Sequence, residues 1–172
     1  MQNLQALFPN TFKTLGIAKD KPRPVTLTDL RIMTKKRHIE PLKPNRIQRH
    51  LLEHLTGRDL VLKSRQVGAS TVIEADNFCA AINGTERIAV IAHDDDTTQK
   101  MRDMQQLFYD ELPDHLKPER TRNSATRAYY PRTKSQVYIA TAGNRTAGRG
   151  GTYSRIHGSE VAFWSNAAQI VA

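Results

Sequence analysis

The sequence predicts an α/β fold of three layers, in which a mostly parallel sheet lies between helices. Apolar runs of strand length alternate along the chain with stretches of helical periodicity, which is the pattern of strand–helix–strand crossovers. The clearest strand, Arg87–Ala92, is apolar throughout after its first residue, as expected of a strand buried in a parallel sheet. The 172 residues suffice for one such domain and an additional N-terminal segment.

The N-terminal 45 residues contain five prolines, so long helices are not expected there. We predict a short helix near Leu27–Lys36, and we interpret residues 1–45 as a peripheral arm that is partly mobile. The regular strand and helix patterns begin after it, and they define a second unit over residues 46–172.

The second unit begins with a predicted helix, Arg46–Leu55, whose apolar residues at positions 47, 51, 52 and 55 share one face. The short apolar run Asp59–Lys63 predicts a buried strand, and a polar loop then leads into a helix over Ser70–Ala81. The remaining predicted elements are, in order, the strand Arg87–Ala92, a turn at His93–Thr98, the helix Thr98–Leu112, an exposed basic excursion over 117–134, the strand Gln136–Ala140 and a weak strand over Tyr153–Ser159.

Charge is high and unevenly distributed along the chain. Lys and Arg number 26 against 17 Asp and Glu, which gives a net charge of +9. Residues 1–58 carry 12 basic and 4 acidic residues, residues 94–119 carry 3 and 8, and residues 120–159 carry eight basic residues and no acidic one. This segregation predicts two basic surfaces and one acidic face, and the net charge favours a polyanionic partner such as nucleic acid.

Composition also excludes several classes of protein. A single cysteine, Cys79, excludes an internal disulfide and a multi-cysteine metal site, and its apolar surroundings predict a packed thiol. No apolar run approaches the roughly 20 residues that a membrane helix needs. The first residues lack the pattern of a secretory signal, so we expect a reducing cytoplasmic location.

The segment from Lys63 to Thr71 has the pattern of a phosphate-binding loop. A predicted strand leads into a polar loop with Gly68, and Ser70 and Thr71 then lie at the N-terminus of the predicted helix. Backbone N–H groups at a helix N-terminus bind phosphate, and the hydroxyl of Ser70 is placed to hold Mg²⁺. The pattern alone is equally consistent with an ordinary strand–loop–helix junction, because Ala69 stands where such loops usually carry lysine.

Three further features fit nucleotide hydrolysis. Glu160 follows the last predicted strand, where a carboxylate can position or deprotonate the attacking water. The glycine-rich loop before that strand carries Arg145 and Arg149, and arginine commonly neutralises charge on a transferring phosphoryl group. Gln48, in the helix before the loop, has an amide that can read an adenine edge. A DNA contact for Arg149 and a solvated position for Gln48 remain open alternatives.

In their order along the chain these pieces resemble the ATPase domain of the large terminase subunit, the DNA-packaging motor of tailed bacteriophages. The resemblance covers residues from about 44 to 164. The resembling parts are Arg46–Arg49 as the Q-motif, Lys63–Thr71 as the Walker A loop, Ile88–His93 as the next strand, Ala147–Gly150 as the arginine loop and Ile156–Trp164 as the Walker B segment. An Arg-Gln-x-Gly loop combined with Ser-Glu-x-Ala-Phe-Trp is a specific pair of motifs.

The resemblance implies a P-loop NTPase fold of the additional-strand type, with ATP and Mg²⁺ as cofactors, and ATP hydrolysis coupled to packaging of double-stranded DNA. Glu160 is then the catalytic carboxylate, and Arg149 or Arg65 contacts the γ-phosphate. The implied nucleotide-binding residues are Gln48, Lys63, Ser64, Arg65, Gln66, Val67, Gly68, Ala69, Ser70 and Thr71. Ser70 would hold Mg²⁺ directly and Glu160 would hold it through a water.

The same resemblance implies a homo-oligomeric ring, a small terminase subunit and a portal protein as partners, in the host cytoplasm and transiently at the procapsid portal. Two residues depart from the usual motifs, since Ala69 replaces a lysine, for which Lys63 is the expected substitute, and Ser159 replaces an aspartate.

The chain ends 12 residues after Glu160, so the later ATPase strands and a nuclease domain are expected to be absent and hydrolysis to be weak. A non-hydrolysing DNA-binding or assembly fragment is the main alternative. A helicase-type P-loop ATPase is another.

Overall fold

The computed structural model describes residues 23–121, 124, 126–143 and 151–165. Two short strands form a hairpin, β1 (Arg31–Met33) and β2 (Ile39–Pro41). The other elements are the helices α1 (Arg46–Glu53), α2 (Ala69–Asn83) and α3 (Asp95–Asp110), the strands β3 (Arg87–Ala92), β4 (Arg127–Tyr130), β5 (Ser135–Thr141) and β6 (Arg155–Gly158), and short 3-10 turns at Leu27–Asp29, Asp114–Leu116 and Val161–Phe163.

The larger sheet has four strands in the order β4-β5-β3-β6. The central strand β3 pairs in parallel with both β5 and β6, while β4 pairs antiparallel with β5 at the edge. β3 is the strand whose residues are most uniformly buried, as its apolar sequence predicts. The predicted α/β fold with a mostly parallel sheet is confirmed.

Helices α2 and α3 pack side by side on one face of this sheet. The rings of Phe78 on α2 and Phe108 on α3 lie 5.7 Å apart, and both join the core that contains Ile88 and Val90 of β3. Ile88 and Val90 share one face because residues two apart in a strand point the same way. On the opposite face, Ile91 is covered by Trp164 in the segment that follows β6.

The N-terminal part of the described chain belongs to this core. Val25, Leu30 and Leu42 are buried in the same cluster as the helices. Val25 also exchanges two hydrogen bonds with the Asn83 side chain, at 2.9 and 2.7 Å, which ties residue 25 to the end of α2. The predicted helix over Leu27–Lys36 is wrong, because only a 3-10 turn forms there before β1.

The predicted strand Asp59–Lys63 is also wrong. Leu60 and Leu62 are 96% and 100% exposed, and the segment has no regular structure. The carboxylate of Asp59 accepts hydrogen bonds from the backbone N–H of Thr56 and of Gly57, so it closes a local turn. A short apolar run becomes a strand only where a neighbouring strand can pair with it, and sequence alone does not supply that neighbour.

Helix α1 forms close to the predicted position, but the predicted apolar face does not face a core. Ile47 and Leu55 are exposed, and the one buried residue of the helix is the polar Gln48. The exposed excursion predicted over 117–134 is likewise wrong in part, because β4 lies inside it and buries Tyr130 against Phe78. Helices α2 and α3 and strands β3, β5 and β6 lie where they were predicted, within a few residues at their ends.

The cysteine and the helices have two further properties. Cys79 is buried, as predicted, and desolvation raises the pKa of its thiol to about 12, so it is not a nucleophile at neutral pH. Among residues 23–121, 124, 126–143 and 151–165, no helix is long and apolar enough to cross a membrane.

We predict that Phe78→Ala lowers the free energy of unfolding by about 3–5 kcal/mol, because it removes a fully buried ring. Leu62→Ala, at a fully exposed position, should change it by no more than about 0.5 kcal/mol. Urea denaturation followed by circular dichroism measures both. A loss above 2 kcal/mol for Leu62→Ala would show that the segment around residue 62 is packed in solution.

Candidate functional site

The loop before α2 ends in a glycine with a positive φ that directly precedes the helix. Gly68 is the N-cap of α2 with φ +74°, and no side chain caps the helix. Gln66, two residues earlier, also has a positive φ of 63°. The first N–H groups of α2 therefore keep the donor capacity that binds anions at helix N-termini.

Gln48 closes this loop against α1. Its Nε2 donates to the Gly68 carbonyl at 2.8 Å, and its Oε1 accepts from the Asn45 backbone N–H at 2.9 Å. A Cβ at position 68 would lie 2.5 Å from Gln48 Nε2, so the close approach requires glycine. Gln48 thus lies at the loop, as the hypothesis of a nucleotide site requires, with its amide bonded to the protein.

Several cations surround the loop. Lys63 and Arg65 are exposed within it, and Lys35 from the turn between β1 and β2 donates to the Gln66 side chain at 2.6 Å. The basic run at 35–37 therefore lies beside the loop, which the sequence did not indicate. An anion at this end of α2 would lie near positive charges from two separate segments.

Glu160 lies just beyond the end of β6, two residues after Gly158. It adopts the left-handed conformation with φ 58° and ψ 43°, which costs about 1–3 kcal/mol for a residue with a side chain. Its Oε2 lies 3.2 Å from Nδ1 of His93, which directly follows β3. Such backbone strain is often found at functional sites, and here it lies at the predicted catalytic carboxylate.

His93 also contacts the residue that caps α3. Its Nε2 lies 2.7 Å from Oδ2 of Asp94, and the other Asp94 oxygen accepts the Thr97 backbone N–H at 2.6 Å. The hydrogen bonds from Thr97, the backbone one first, hold the pKa of Asp94 below its usual range. Asp94 is therefore an anion at neutral pH, fixed at the N-terminus of α3 beside the His93 ring.

A buried polar network links α2 to β6 beneath these residues. Glu74 is 0% exposed, and its Oε1 lies 2.6 Å from Nδ1 of His157. The other carboxylate oxygen accepts from Gln105 Nε2 of α3 at 2.8 Å. Arg155, two residues before His157, pairs with Asp76 of α2 at 2.9 Å.

These contacts fix the direction of α2 relative to β6. Residue 155 meets residue 76 and residue 157 meets residue 74, so the two elements run in opposite directions. The N-terminus of α2 therefore lies toward the end of β6 that leads to Ser159 and Glu160. The Gly68 loop and Glu160 therefore lie at the same edge of the sheet, where its parallel strands end and where α/β proteins bind their ligands.

The predicted Mg²⁺ ligands at this edge of the sheet are few. The part of the chain that the structure describes contains no group of three or more His, Cys, Asp and Glu side chains that could hold a metal ion. Ser70 would supply one oxygen ligand and Glu160 a contact through a water, and Mg²⁺ commonly completes its shell with waters and substrate phosphates. The donor set is consistent with Mg²⁺ brought in with phosphate.

The structure therefore describes all the predicted site residues except one. The residues 63–71 form the loop and the start of α2, Gln48 binds the loop, and Glu160 lies at the same edge. Arg149 lies outside the described residues, as does Arg145. The sequence did not single out His93, Asp94, Glu74 or His157 as functional, because isolated histidines and carboxylates on different elements show no spacing that predicts their contact.

A scan of the chain against models of known protein families gives no match. A search of curated protein sequences also gives no match.

We predict that Gly68→Ala destabilises the protein more than Gly57→Ala. Both glycines have a positive φ, of 74° and 101°, but a Cβ at position 57 has nothing within 4 Å. The cost at position 57 is then the conformational cost alone, about 1 kcal/mol, and the clash with Gln48 adds to it at position 68. Urea denaturation tests this, and Gln48→Ala should reduce the extra cost. Equal losses for the two glycines would contradict the close approach.

We also predict that His157→Ala costs about 3–5 kcal/mol, because it leaves Oε1 of the buried Glu74 without a partner, while only Oε2 keeps its hydrogen bond from Gln105. Arg155→Ala removes a neighbouring pair, Arg155 with Asp76, whose side chains are each about one third exposed, so it should cost no more than about 1 kcal/mol. Thermal and urea unfolding of both variants give the comparison. Similar small losses would show that Glu74 does not depend on His157.

Proposed function

We propose that this chain is the nucleotide-binding part of an ATPase like that of the large terminase subunit. The observation that carries the proposal is the position of Glu160 and the Gly68 loop at one edge of the sheet. In a nucleotide hydrolase these are the two parts that must meet, because one holds the phosphates and the other activates water.

In this proposal the fold is a three-layer P-loop NTPase of the additional-strand type, from which it departs because residues 59–63, where the strand before the phosphate loop is expected, have no regular structure. Helices α2 and α3 form one layer. The opposite face of the sheet carries Ile156, which is 67% exposed, and a second helix layer would cover it.

The roles of the chain's own residues follow from their positions. The N–H groups at the start of α2 would bind the phosphates, with Lys63 and Arg65 neutralising their charge. Ser70 would hold the Mg²⁺, whose chemistry is to neutralise charge on the β- and γ-phosphates. Glu160 would accept a proton from the attacking water. Arg65 or Arg149 would contact the γ-phosphate in the transition state.

The partners belong to the proposal as well. Packaging of double-stranded DNA by a ring of subunits, with a small terminase subunit and a portal protein in the host cytoplasm, is what the resemblance implies. The exposed residues Arg127, Arg132 and Lys134, in a region without acidic residues, support contact with DNA. They support equally the alternative of a DNA-binding fragment without hydrolysis.

Calorimetry with a non-hydrolysable ATP analogue and Mg²⁺ tests nucleotide binding. We expect Lys63→Ala to weaken the affinity roughly 10- to 150-fold, since a hydrogen bond to a charged group contributes about 1.5–3 kcal/mol. Lys134→Gly is the matched control, because it removes one positive charge in the turn between β4 and β5, where the parallel strand β5 begins. Glycine also accepts the φ of 57° at this position. It should leave the affinity unchanged. A folded chain that binds no analogue would contradict the proposal.

Phosphate release measured on the wild-type chain and on Glu160→Gln tests the catalytic assignment. We expect analogue binding to be retained and turnover to fall by about 10²–10⁴, which is the usual contribution of a positioned general base. Normal hydrolysis by Glu160→Gln would show that another residue activates the water. Salt-dependent DNA binding without nucleotide binding would favour the non-hydrolysing alternative.

A further inference from the structure

We propose that His93 is the positioning residue for the carboxylate of Glu160, and that Asp94 orients the His93 ring. The inference rests on the proposed function, because it concerns the residue to which that function assigns water activation. It adds a chain of contacts that runs from the N-terminus of α3 to Glu160.

The two ring nitrogens of His93 face two different carboxylates. Nε2 lies 2.7 Å from Asp94 Oδ2, and Nδ1 lies 3.2 Å from Glu160 Oε2. A neutral imidazole carries one N–H and can donate to only one of them, while an imidazolium can donate to both. The ring is therefore a bridge between a fixed anion, Asp94, and the carboxylate of Glu160.

The contact with Glu160 is close but incomplete. Nδ1 of His93 is buried. Glu160 Oε2 lies close to it but is not oriented to form a hydrogen bond with it. A buried polar atom without a hydrogen bond calls for an explanation. A rotation of the exposed Glu160 side chain would form a hydrogen bond between its carboxylate and Nδ1 of His93. The carboxylate can therefore be held by His93 or turn away from it.

The ring itself is held from three sides. It follows β3 directly, Asp94 faces it from the cap of α3, and the ring of Phe163 lies 5.9 Å away between centroids. Glu160, by contrast, is an exposed residue with a left-handed backbone and a flexible side chain. A fixed partner reduces the freedom of such a carboxylate and directs it, as residues behind catalytic groups do.

The two nitrogens can be tested separately by substitution. The amide nitrogen of asparagine can occupy the place of Nδ1, and that of glutamine the place of Nε2. His93→Asn should therefore keep the contact with Glu160, whereas His93→Gln should keep only the contact with Asp94. We expect kcat to fall about 10- to 100-fold in His93→Gln and His93→Ala, and by less than about fivefold in His93→Asn.

The pattern of effects separates positioning from a general structural role. KM for ATP, analogue affinity and Tm should stay close to wild type in all three variants, since His93 would act through Glu160 and not on the phosphates. In the background of Glu160→Gln, His93→Ala should have no further effect on kcat. His115→Ala, at an exposed histidine beyond α3, is the control and should leave every value unchanged.

Two results would overturn the inference while leaving the proposed function intact. One is a wild-type kcat in His93→Ala together with an inactive Glu160→Gln. The other is an equal loss in the Asn, Gln and Ala variants with a matching fall in Tm, which would make His93 a structural residue. A folded wild-type chain without hydrolysis would reject the proposed function and this inference together.

Discussion

The buried contact between Glu74 and His157 is the constraint on which the candidate site depends. Among the described residues, β6 has a strand neighbour on one side only, so its pairing with β3 fixes it less firmly than the inner strands are fixed. The carboxylate of Glu74 joins β6 to α2 and, through Gln105, to α3. Because a buried charge without a partner is costly, this contact holds β6 against the helices at a defined register. The positions of Ser159 and Glu160 relative to the start of α2 follow from that register.

A second set of contacts fixes the other half of the site. The loop before α2 is held by Gln48 on the Gly68 carbonyl, by Asn45 on the Val67 carbonyl at 3.4 Å and by Lys35 on Gln66. Side chains from α1 and from the β1–β2 hairpin thus shape a loop that has little packing of its own. Its C-terminal end is defined by these bonds, while Lys63 at its N-terminal end is exposed. A nucleotide would meet one rigid part of the loop and one part free to adjust.

The sequence predicted those parts of the fold in which the local hydrophobic pattern is compatible with only one kind of secondary structure. The apolar run of β3 and the periodicity of α2 and α3 are of this kind, since each element packs an apolar run or face against neighbouring elements. Asp59–Lys63 was predicted wrongly because its apolar pattern lacks a partner strand. The β1–β2 hairpin was missed because prolines conceal short strands, although Leu30 and Leu42 beside it are core residues.

The residues of the candidate site also fall into those that local sequence signals predicted and those that they did not. The Gly68 loop and Glu160 were found in the sequence because glycine before a helix and a carboxylate after a strand are local signals. His93 and Glu74 were not, because their roles depend on contacts over 67 and 83 residues, with Glu160 and His157 respectively. Only the topology of the sheet brings such residues together, and the sequence gives no spacing from which to infer it.

Burial at position 69 gives a physical reason for the unusual composition of the loop. Ala69 is 4% exposed at the first turn of α2, so a lysine there would have to pass its long side chain out of a packed position. The ammonium group is strongly hydrated and costly to bury. In the proposed nucleotide site, positive charge for a phosphate would then come from exposed residues, and Lys63 and Arg65 are exposed within the loop. In the proposed site, close packing at the start of α2 therefore requires a small residue at position 69. The positive charge is then carried by Lys63 and Arg65, which lie earlier in the loop.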